Sequence, residues 1–267
     1  MSIQSLYTAA SGMDAMQTKL DVIANNLANM ETTAFKKGRC NFEDMFYVNE
    51  KLPGTRDQAG QYTPVGIGIG TGVRVQSIQT EQTQGTLLQT GRTLDVAIQG
   101  LGYFQVTDTN GNTLYTRAGD LNINSNGNLV VGSASVGRLL QPPITIPDDA
   151  TAVAISAEGV VSVQQPNNTQ LSEVGQLELA AFINPEGLLK LGENMYQETD
   201  ASGAPRLANP GSDGLGTLQQ SSLESSNVEP VTELIDLITT QRAFEMNSQV
   251  ISAGDDILEL VATLRRY

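Results

Sequence analysis

Residues 1–30 carry apolar side chains in alternating steps of three and four, and this repeat constrains the fold more than any other feature. Polar residues fill the positions between them. A 3.5-residue repeat kept for four heptads places one narrow apolar seam along an α-helix, as in a coiled coil. The sequence therefore predicts an N-terminal helix that packs against other helices, with its seam at Leu6, Ala9, Met13, Met16, Leu20, Ile23, Leu27 and Met30.

The C-terminal part of the chain repeats this pattern. Asn227 predicts the N-cap of a helix, and Pro230 falls in the first turn, where its missing N–H costs no intrahelical bond. Ile235 and Ile238 are out of phase with the later repeat, which indicates a stutter. We expect the two terminal helices to pair with each other or with other copies of the chain. The second seam comprises Ala243, Met246, Val250, Ala253, Ile257, Leu260 and Leu264.

Between the helices apolar and polar residues alternate, which is the period of a β-strand. Asn110-Gly111 and Asn126-Gly127 separate pairs of such stretches, and Asn-Gly favours the positive φ angles of tight hairpin turns. Glu158-Gly159 is placed in the same way, and residues 177–183 alternate as one further strand. The pattern predicts an antiparallel β-domain of roughly eight to ten short strands.

The segment between the first helix and this domain is rich in glycine and proline, including Pro53-Gly54 and alternating glycines over residues 66–72. This composition predicts an extended, irregular arm. The glycines lack the G-x-G-x-x-G spacing, and no Gly-Lys-Ser/Thr follows them, so they do not indicate a phosphate loop. Close backbone packing against a neighbour explains them better.

The predicted fold class is therefore α+β. Paired terminal helices of coiled-coil type form one part, and a central antiparallel all-β domain with an extended linker arm forms the rest. The expected divisions are residues 1–35 for the first helix, 36–75 for the arm, 76–222 for the β-domain and 223–267 for the last helix.

Composition excludes several functions. The net charge of −14 and a pI near 4.3 disfavour binding to nucleic acid, whose phosphates would be repelled. Without histidine the chain offers no Ser-His-Asp triad and no histidine-ligated zinc, and the lone Cys40 permits no intramolecular disulfide or cysteine metal cluster. We expect no cofactor, no metal and no enzymatic activity.

Two other functions stay open at this stage. The acid pairs Asp148/Asp149 and Asp255/Asp256 admit a carboxylate-dependent hydrolase, although adjacent residues point in different directions on a regular element. Strands rich in Asn, Gln, Ser and Thr admit a polysaccharide-binding adhesin, although the chain has no Trp for an aromatic platform.

The chain also has no apolar run long enough to span a membrane, and its N-terminus lacks the pattern of a signal peptide. We therefore expect no direct membrane insertion. The protein is expected either to stay in the cytosol or to leave the cell by a route without cleavage.

Both ends of the chain resemble the bacterial flagellar rod and hook family. The N-terminal likeness lies in residues 24–29 (ANNLAN) and 32–36 (TTAFK), and the C-terminal one in residues 226–229 (SNVE) and 239–248 (TTQRAFEMNS). Residues 69–73 (IGTGV), 94–100 (LDVAIQG) and 214–220 (GLGTLQQ) resemble the distal rod branch of that family in particular. Ala34 departs from the usual glycine, and Pro230 is unusual in the C-terminal signature.

This resemblance implies a structural subunit of the distal rod, a tubular drive shaft that carries the export channel and transmits torque from motor to hook. A proximal rod or hook subunit is the alternative within the family. The implied location is the basal body, where the rod spans the periplasm. The implied partners are further copies of the chain, other rod subunits, the hook, the surrounding ring proteins and the flagellar type III export apparatus.

Repeat and resemblance together predict an assembly interface on the two helices. Its residues are Leu6, Met13, Met16, Leu20, Ile23, Asn25, Asn26, Leu27, Asn29, Phe35, Gln241, Arg242, Phe244, Met246, Val250, Ile257, Leu260 and Leu264.

Overall fold

The computed structural model describes residues 2–54, 56, 62, 65–108, 111–132, 137–166 and 170–264. These residues form two compact units. The helical unit contains residues 2–28, the described part of 38–80, and 229–264. The β unit contains residues 29–37 and the described part of 81–228. The fold is α+β, with one helix near each end and antiparallel β-structure between them.

The helical unit contains two helices and four strands. The helices α1 and α2 lie side by side, and β1 pairs with β4 while β2 pairs with β3, both antiparallel. Their bounds are α1 Ser2–Ala28, β1 Gly38–Asp44, β2 Tyr47–Lys51, β3 Ile67–Gly70, β4 Val73–Thr80 and α2 Pro230–Leu264.

These strands differ from the irregular arm that the glycine content predicts. The glycines are needed because β2 and β3 approach closely: a Cβ on Gly66 would lie 2.6 Å from the carbonyl oxygen of Lys51, and one on Gly68 would lie 2.9 Å from Oδ1 of Asn49. Glycine therefore permits the two strands to pair at close range, in agreement with the close backbone packing that the sequence indicates.

The β unit contains sixteen strands within the described residues, more than the eight to ten predicted. Most are only three to five residues long, too short to show a clear alternation. Their bounds are β5 Leu87–Gln89, β6 Val96–Gln99, β7 Tyr103–Thr107, β8 Thr113–Thr116, β9 Leu121–Ile123, β10 Leu129–Val131, β11 Arg138–Gln141, β12 Ala152–Ile155, β13 Val160–Gln164, β14 Ser172–Gln176, β15 Leu179–Ala181, β16 Leu189–Gly192, β17 Met195–Gln197, β18 Arg206–Ala208, β19 Thr217–Gln220 and β20 Ser222–Glu224.

The largest sheet of the β unit runs β16-β17-β8-β7-β11-β10-β9, and β15 joins β7 to β18. The strands β12-β13-β14 form a second sheet, while β6 pairs with β19 and β5 with β20. The hairpins predicted at Asn126-Gly127 and Glu158-Gly159 are present as β9–β10 and β12–β13. The β7–β8 pair is also present; Asn110 of its predicted turn lies outside the described residues. The strand predicted over residues 177–183 is present but shorter, because β15 covers only Leu179–Ala181.

Both terminal helices differ from prediction at one boundary. The first ends at Ala28, ahead of the predicted bound at residue 35, and a turn follows. Pro230 is the first residue of α2, a position that suits its fixed φ and missing N–H. The carbonyl of Glu229 accepts the first intrahelical bond, from the N–H of Glu233. Asn227 is therefore not the N-cap, and its side chain bonds elsewhere.

Candidate assembly interface

The helices α1 and α2 pack antiparallel within the helical unit, with Leu6 against Gly254 and Gly12 against Asn247. A Cβ on Gly12 would lie 2.9 Å from Nδ2 of Asn247, and one on Gly254 would lie 2.7 Å from Cδ2 of Leu6. The two glycines therefore let the helices approach closely. At these two places α1 meets a polar residue and a glycine of α2, and neither belongs to the predicted apolar seam of α2.

The seam predicted on α1 lies mostly inside the unit. Ala9 and Ile23 are buried, and Met30 lies beyond the helix with 37% of its surface exposed. The other members are half-buried: Leu6, Met13, Met16, Leu20 and Leu27. This side of α1 is already in contact with the rest of the chain.

The seam predicted on α2 faces solvent. Met246 is 60% exposed and Leu260 is 63% exposed, and Val250 and Ile257 are also exposed; the side chain of Leu264 lies outside the described residues. We call Met246, Val250, Ile257 and Leu260 the outer stripe. They share one side of the helix because they follow the three-and-four repeat.

A different row of α2 residues faces the unit interior. Glu233, Thr240 and Gly254 are buried, and Phe244, Asn247, Ile251 and Leu258 are half-buried. This row also has a three-and-four spacing, but polar and small residues interrupt it. Hydrophobic periodicity therefore identified the solvent-facing side of α2, because that side is the more apolar one.

The start of α2 adds a second exposed apolar patch. Val231, Leu234, Ile235 and Ile238 are exposed, with Val231 at 71%. Ile235 and Ile238 are the residues that fall out of phase with the outer stripe, so the patch lies at a different angle around the helix.

The predicted signature residues have different roles. Asn26 is buried: its Oδ1 accepts from the Gly38 N–H at 2.9 Å, and its Nδ2 donates to the Gly38 carbonyl at 2.9 Å and to Oε2 of Glu233 at 3.2 Å. These bonds join the end of α1 to β1 and α2. Asn26 and Ile23 are thus corrected to internal contacts of the chain, because their side chains do not reach its surface.

The other signature positions are more accessible. Asn25 and Gln241 are exposed, and Asn29 accepts a hydrogen bond from the Thr32 hydroxyl at 3.2 Å. Arg242 is exposed and pairs with Glu245 at 2.8 Å. Phe35, in the β unit, is half-buried and lies under the ammonium of Lys190, 5.3 Å from the ring centre.

The β2–β3 hairpin carries further apolar surface. Every residue of β2 is exposed, and the neighbouring Phe46 is 90% exposed. A two-stranded ribbon with side chains exposed on both faces has little stability alone. This hairpin therefore also presents surface that a neighbouring molecule can cover.

Sequence reasoning missed a buried ionic cluster in the β unit. Oε1 of Glu224 lies 2.6 Å from Nζ of Lys36 and accepts from the Gly85 N–H at 2.9 Å, while Oε2 lies 2.6 Å from Nε of Arg117. The three charged side chains are 0%, 1% and 4% exposed for Lys36, Glu224 and Arg117. Lys36 lies within the TTAFK stretch, but no local pattern predicted its burial.

The two acid pairs that admitted a carboxylate-dependent hydrolase lie at the surface. Asp148, Asp149, Asp255 and Asp256 are all exposed. Cys40 is half-buried, and burial raises the pKa of its thiol. Within the described part of the chain, no helix has the length and apolarity to cross a membrane.

Comparison with known proteins finds three family matches. They are "Flagella basal body rod protein" over residues 6–36, "Flagellar hook protein FlgE/F/G D1 domain" over residues 97–163, and "Flagellar basal body rod FlgEFG protein C-terminal" over residues 219–264. The three ranges include parts of both helices and of the β unit.

Similar proteins also match along their whole length. The flagellar basal-body rod protein FlgG of Caulobacter vibrioides is 45% identical over 264 residues, which is 98% of this chain and 100% of the relative. The FlgG of Agrobacterium fabrum is 44% identical over 97% of this chain and 98% of its own length. That of Bacillus subtilis is 39% identical over 99% of this chain and 100% of its own length.

Proposed function

The chain belongs to the FlgG family of flagellar basal-body rod proteins, and we propose that it is the structural subunit that polymerises into the distal rod. In this function it forms a tubular drive shaft that transmits torque from motor to hook and encloses the export channel. The subunit is exported by the flagellar type III apparatus without cleavage. It contacts other rod subunits, the hook and the surrounding ring proteins.

The observation that carries this proposal is the outer stripe. Met246, Val250, Ile257 and Leu260 are exposed on a helix whose other side already packs in the chain. Full burial of one such side chain contributes about 1.5–3 kcal/mol. Since every copy carries the same stripe, lateral association of copies buries it repeatedly.

The proposed interface therefore centres on the outer stripe and continues to the patch at the start of α2. The remaining predicted residues are proposed to contribute less, because several of them, such as Leu6 and Phe244, are already half-buried in the single chain. We retain Leu6, Met13, Met16, Leu20, Leu27, Asn25, Asn29, Phe35, Gln241, Arg242, Phe244 and Leu264 as the remaining members.

Val250→Asp tests the interface. Val250 is 49% exposed, so a carboxylate there stays solvated in the single chain, and unfolding should change by less than about 0.5 kcal/mol. In the polymer the charge would be buried in every copy, at a cost of several kcal/mol per site. We expect normal melting of the monomer and no rod in electron micrographs of isolated basal bodies.

Ser252→Asp is the matched control, because Ser252 is exposed on a different side of the same turn of α2. It introduces the same charge outside the outer stripe and should leave rod assembly intact. Normal rods from Val250→Asp would exclude the outer stripe from the interface. Loss of rods in both variants would show that added charge anywhere on α2 is the cause.

We further propose that the β2–β3 hairpin braces neighbouring subunits in the polymer. Exposed Phe46, Tyr47 and Val48 support this, because burial against a neighbour would stabilise a ribbon that has no core of its own. Deleting residues 52–60 should leave the β unit folded and make the polymer softer or curved. Straight, stiff polymer from the deletion variant would contradict the bracing role.

A further inference from the structure

A groove in the helical unit is lined by residues of α1, β3 and α2. Thr8 of α1, Ile69 of β3 and Val250 of α2 form parts of its walls, and its volume is about 430 Å³. Val250 also belongs to the outer stripe, which is exposed. A molecule that covers the outer stripe at this level of α2 therefore also meets the groove.

One polar group of the groove has no partner in the single chain. Gln4 lines the groove, and its Nε2 is buried without an acceptor among the described residues. A buried donor that makes no hydrogen bond costs free energy. Because the glutamine side chain is flexible, a small rotation presents Nε2 to an acceptor that enters the groove. A matching surface should therefore combine apolar side chains with one hydrogen-bond acceptor.

The exposed patch at the start of α2 offers this combination. Its four aliphatic side chains, which we call the start patch, belong to Val231, Leu234, Ile235 and Ile238. The next residue, Thr239, is also exposed. Its hydroxyl donates to the Asp236 carbonyl at 3.0 Å, so the hydroxyl oxygen can itself accept a hydrogen bond.

The start patch and the groove lie at different levels of the helical unit. Asn26, near the end of α1, bonds to Glu233, whereas Leu6, near the start of α1, lies against Gly254. The start patch is therefore level with the end of α1, and the groove is level with its start. Residues 235 and 250 lie about 22 Å apart along α2, at 1.5 Å per residue. One chain cannot join these two surfaces, but a second copy shifted along the helix can.

We infer that the groove of one copy holds the start patch of a second copy, with the Gln4 amide donating to the Thr239 hydroxyl. This inference rests on the proposed polymer and assigns one contact within it. Because the two surfaces differ, each copy offers its groove to one neighbour and its start patch to another. A head-to-tail contact with an axial shift does not close into a flat ring, so it continues as an open assembly.

Disulfide cross-linking in isolated basal bodies tests this contact. Cys40→Ser removes the single native cysteine, and Thr8→Cys with Ile235→Cys then places one thiol in the groove and one in the start patch. Disulfide-bonded residues have Cα atoms within about 7 Å of each other, so these two thiols cannot join within one chain. After oxidation with copper phenanthroline, non-reducing electrophoresis should show a ladder of dimers, trimers and longer chains.

Thr8→Cys with Ser252→Cys is the matched control in the same background. Ser252 is exposed on α2 at the level of the groove, so this pair would join copies that associate without an axial shift, and we expect no ladder. Rods that give no ladder with Thr8→Cys and Ile235→Cys would overturn the inference and leave the proposed polymer standing. Dimers alone would also overturn it, because they indicate a two-fold contact. Absence of the wild-type chain from isolated rods would contradict the proposed function instead.

Gln4→Met gives a second test, which also decides the matter if the cysteine variants form no rods. It removes the buried donor at similar side-chain length, so the monomer should melt about 2–4 °C higher. Rods of this variant should nevertheless dissociate at a lower temperature than wild-type rods, because the contact to Thr239 is lost. Thr239→Val should weaken the rods similarly and leave monomer melting unchanged. Rods as stable as wild type in both variants would reject the contact, since a role confined to the single chain changes only the monomer.

Discussion

The β unit and the helical unit bury their apolar residues to very different degrees. Phe104, Leu129 and Leu177 in the β unit have no exposed surface, and the two large apolar clusters of the described residues both lie there. In the helical unit, Met246 and Leu260 are more than half exposed. The β unit contains a complete core of its own, whereas the helical unit leaves large apolar side chains exposed.

The largest expected effect is on the core of the β unit. Phe104→Ala removes a ring with no exposed surface and leaves a cavity, so the free energy of unfolding should fall by about 3–5 kcal/mol. Denaturant titration of the monomer measures this loss. Ile183→Ala is the control in the same unit; Ile183 is 94% exposed, and the change should stay below about 0.5 kcal/mol. Equal effects of the two changes would mean that Phe104 is not packed as described.

A smaller loss is expected inside the helical unit. Ile23 is 4% exposed, and Ile23→Ala should destabilise this unit by about 2–3 kcal/mol. The helical signal at 222 nm should therefore be lost at lower denaturant. Val250→Ala, on the outer stripe, should hardly move that transition. If Ile23→Ala unfolds at the same denaturant concentration as the wild-type monomer, the helices pack only in the polymer. The helical unit of the single chain would then bury even less apolar surface relative to the β unit.

The third change is at Ala34, in the segment of the β unit that follows α1. Ala34 is buried with φ of 56°, in the left-handed region that β-branched residues avoid. Ala34→Val should destabilise the β unit by about 2 kcal/mol through backbone strain and overpacking. Thermal melting followed at 218 nm measures it.

Ala34→Gly provides the control for that change. Relief of the backbone strain and loss of the buried methyl group oppose each other, so the net change should be under about 1 kcal/mol. A valine variant as stable as the glycine variant would show that residue 34 leaves the left-handed region without cost.

The departure at Ala34 also shows how far the family resemblance extends. Glycine is usual there, and alanine puts a left-handed turn in doubt. The turn nevertheless forms: the Ala34 N–H donates to the Glu224 carbonyl at 2.8 Å, and the methyl group packs in the core. Alanine is the smallest side chain that supplies such packing.

Sequence alone determined the features that depend on neighbours along the chain. The three-and-four repeats predicted both helices, and Asn126-Gly127 predicted a hairpin, because helix periodicity and turn conformation are local properties. From the net charge we expect no binding to nucleic acid, and from the lack of histidine we expect no histidine-based catalysis. The terminal motifs indicated the family.

The tertiary structure decided which side of each helix meets which partner. Most of the apolar seam of α2 faces solvent, while the row containing Asn247 and Gly254 packs against α1, because close approach there depends on the glycines Gly12 and Gly254. The same holds for Lys36, Arg117 and Glu224. They are far apart in sequence, and only the folded chain brings two cations to one buried carboxylate, since burial and charge pairing depend on contacts that no local pattern encodes.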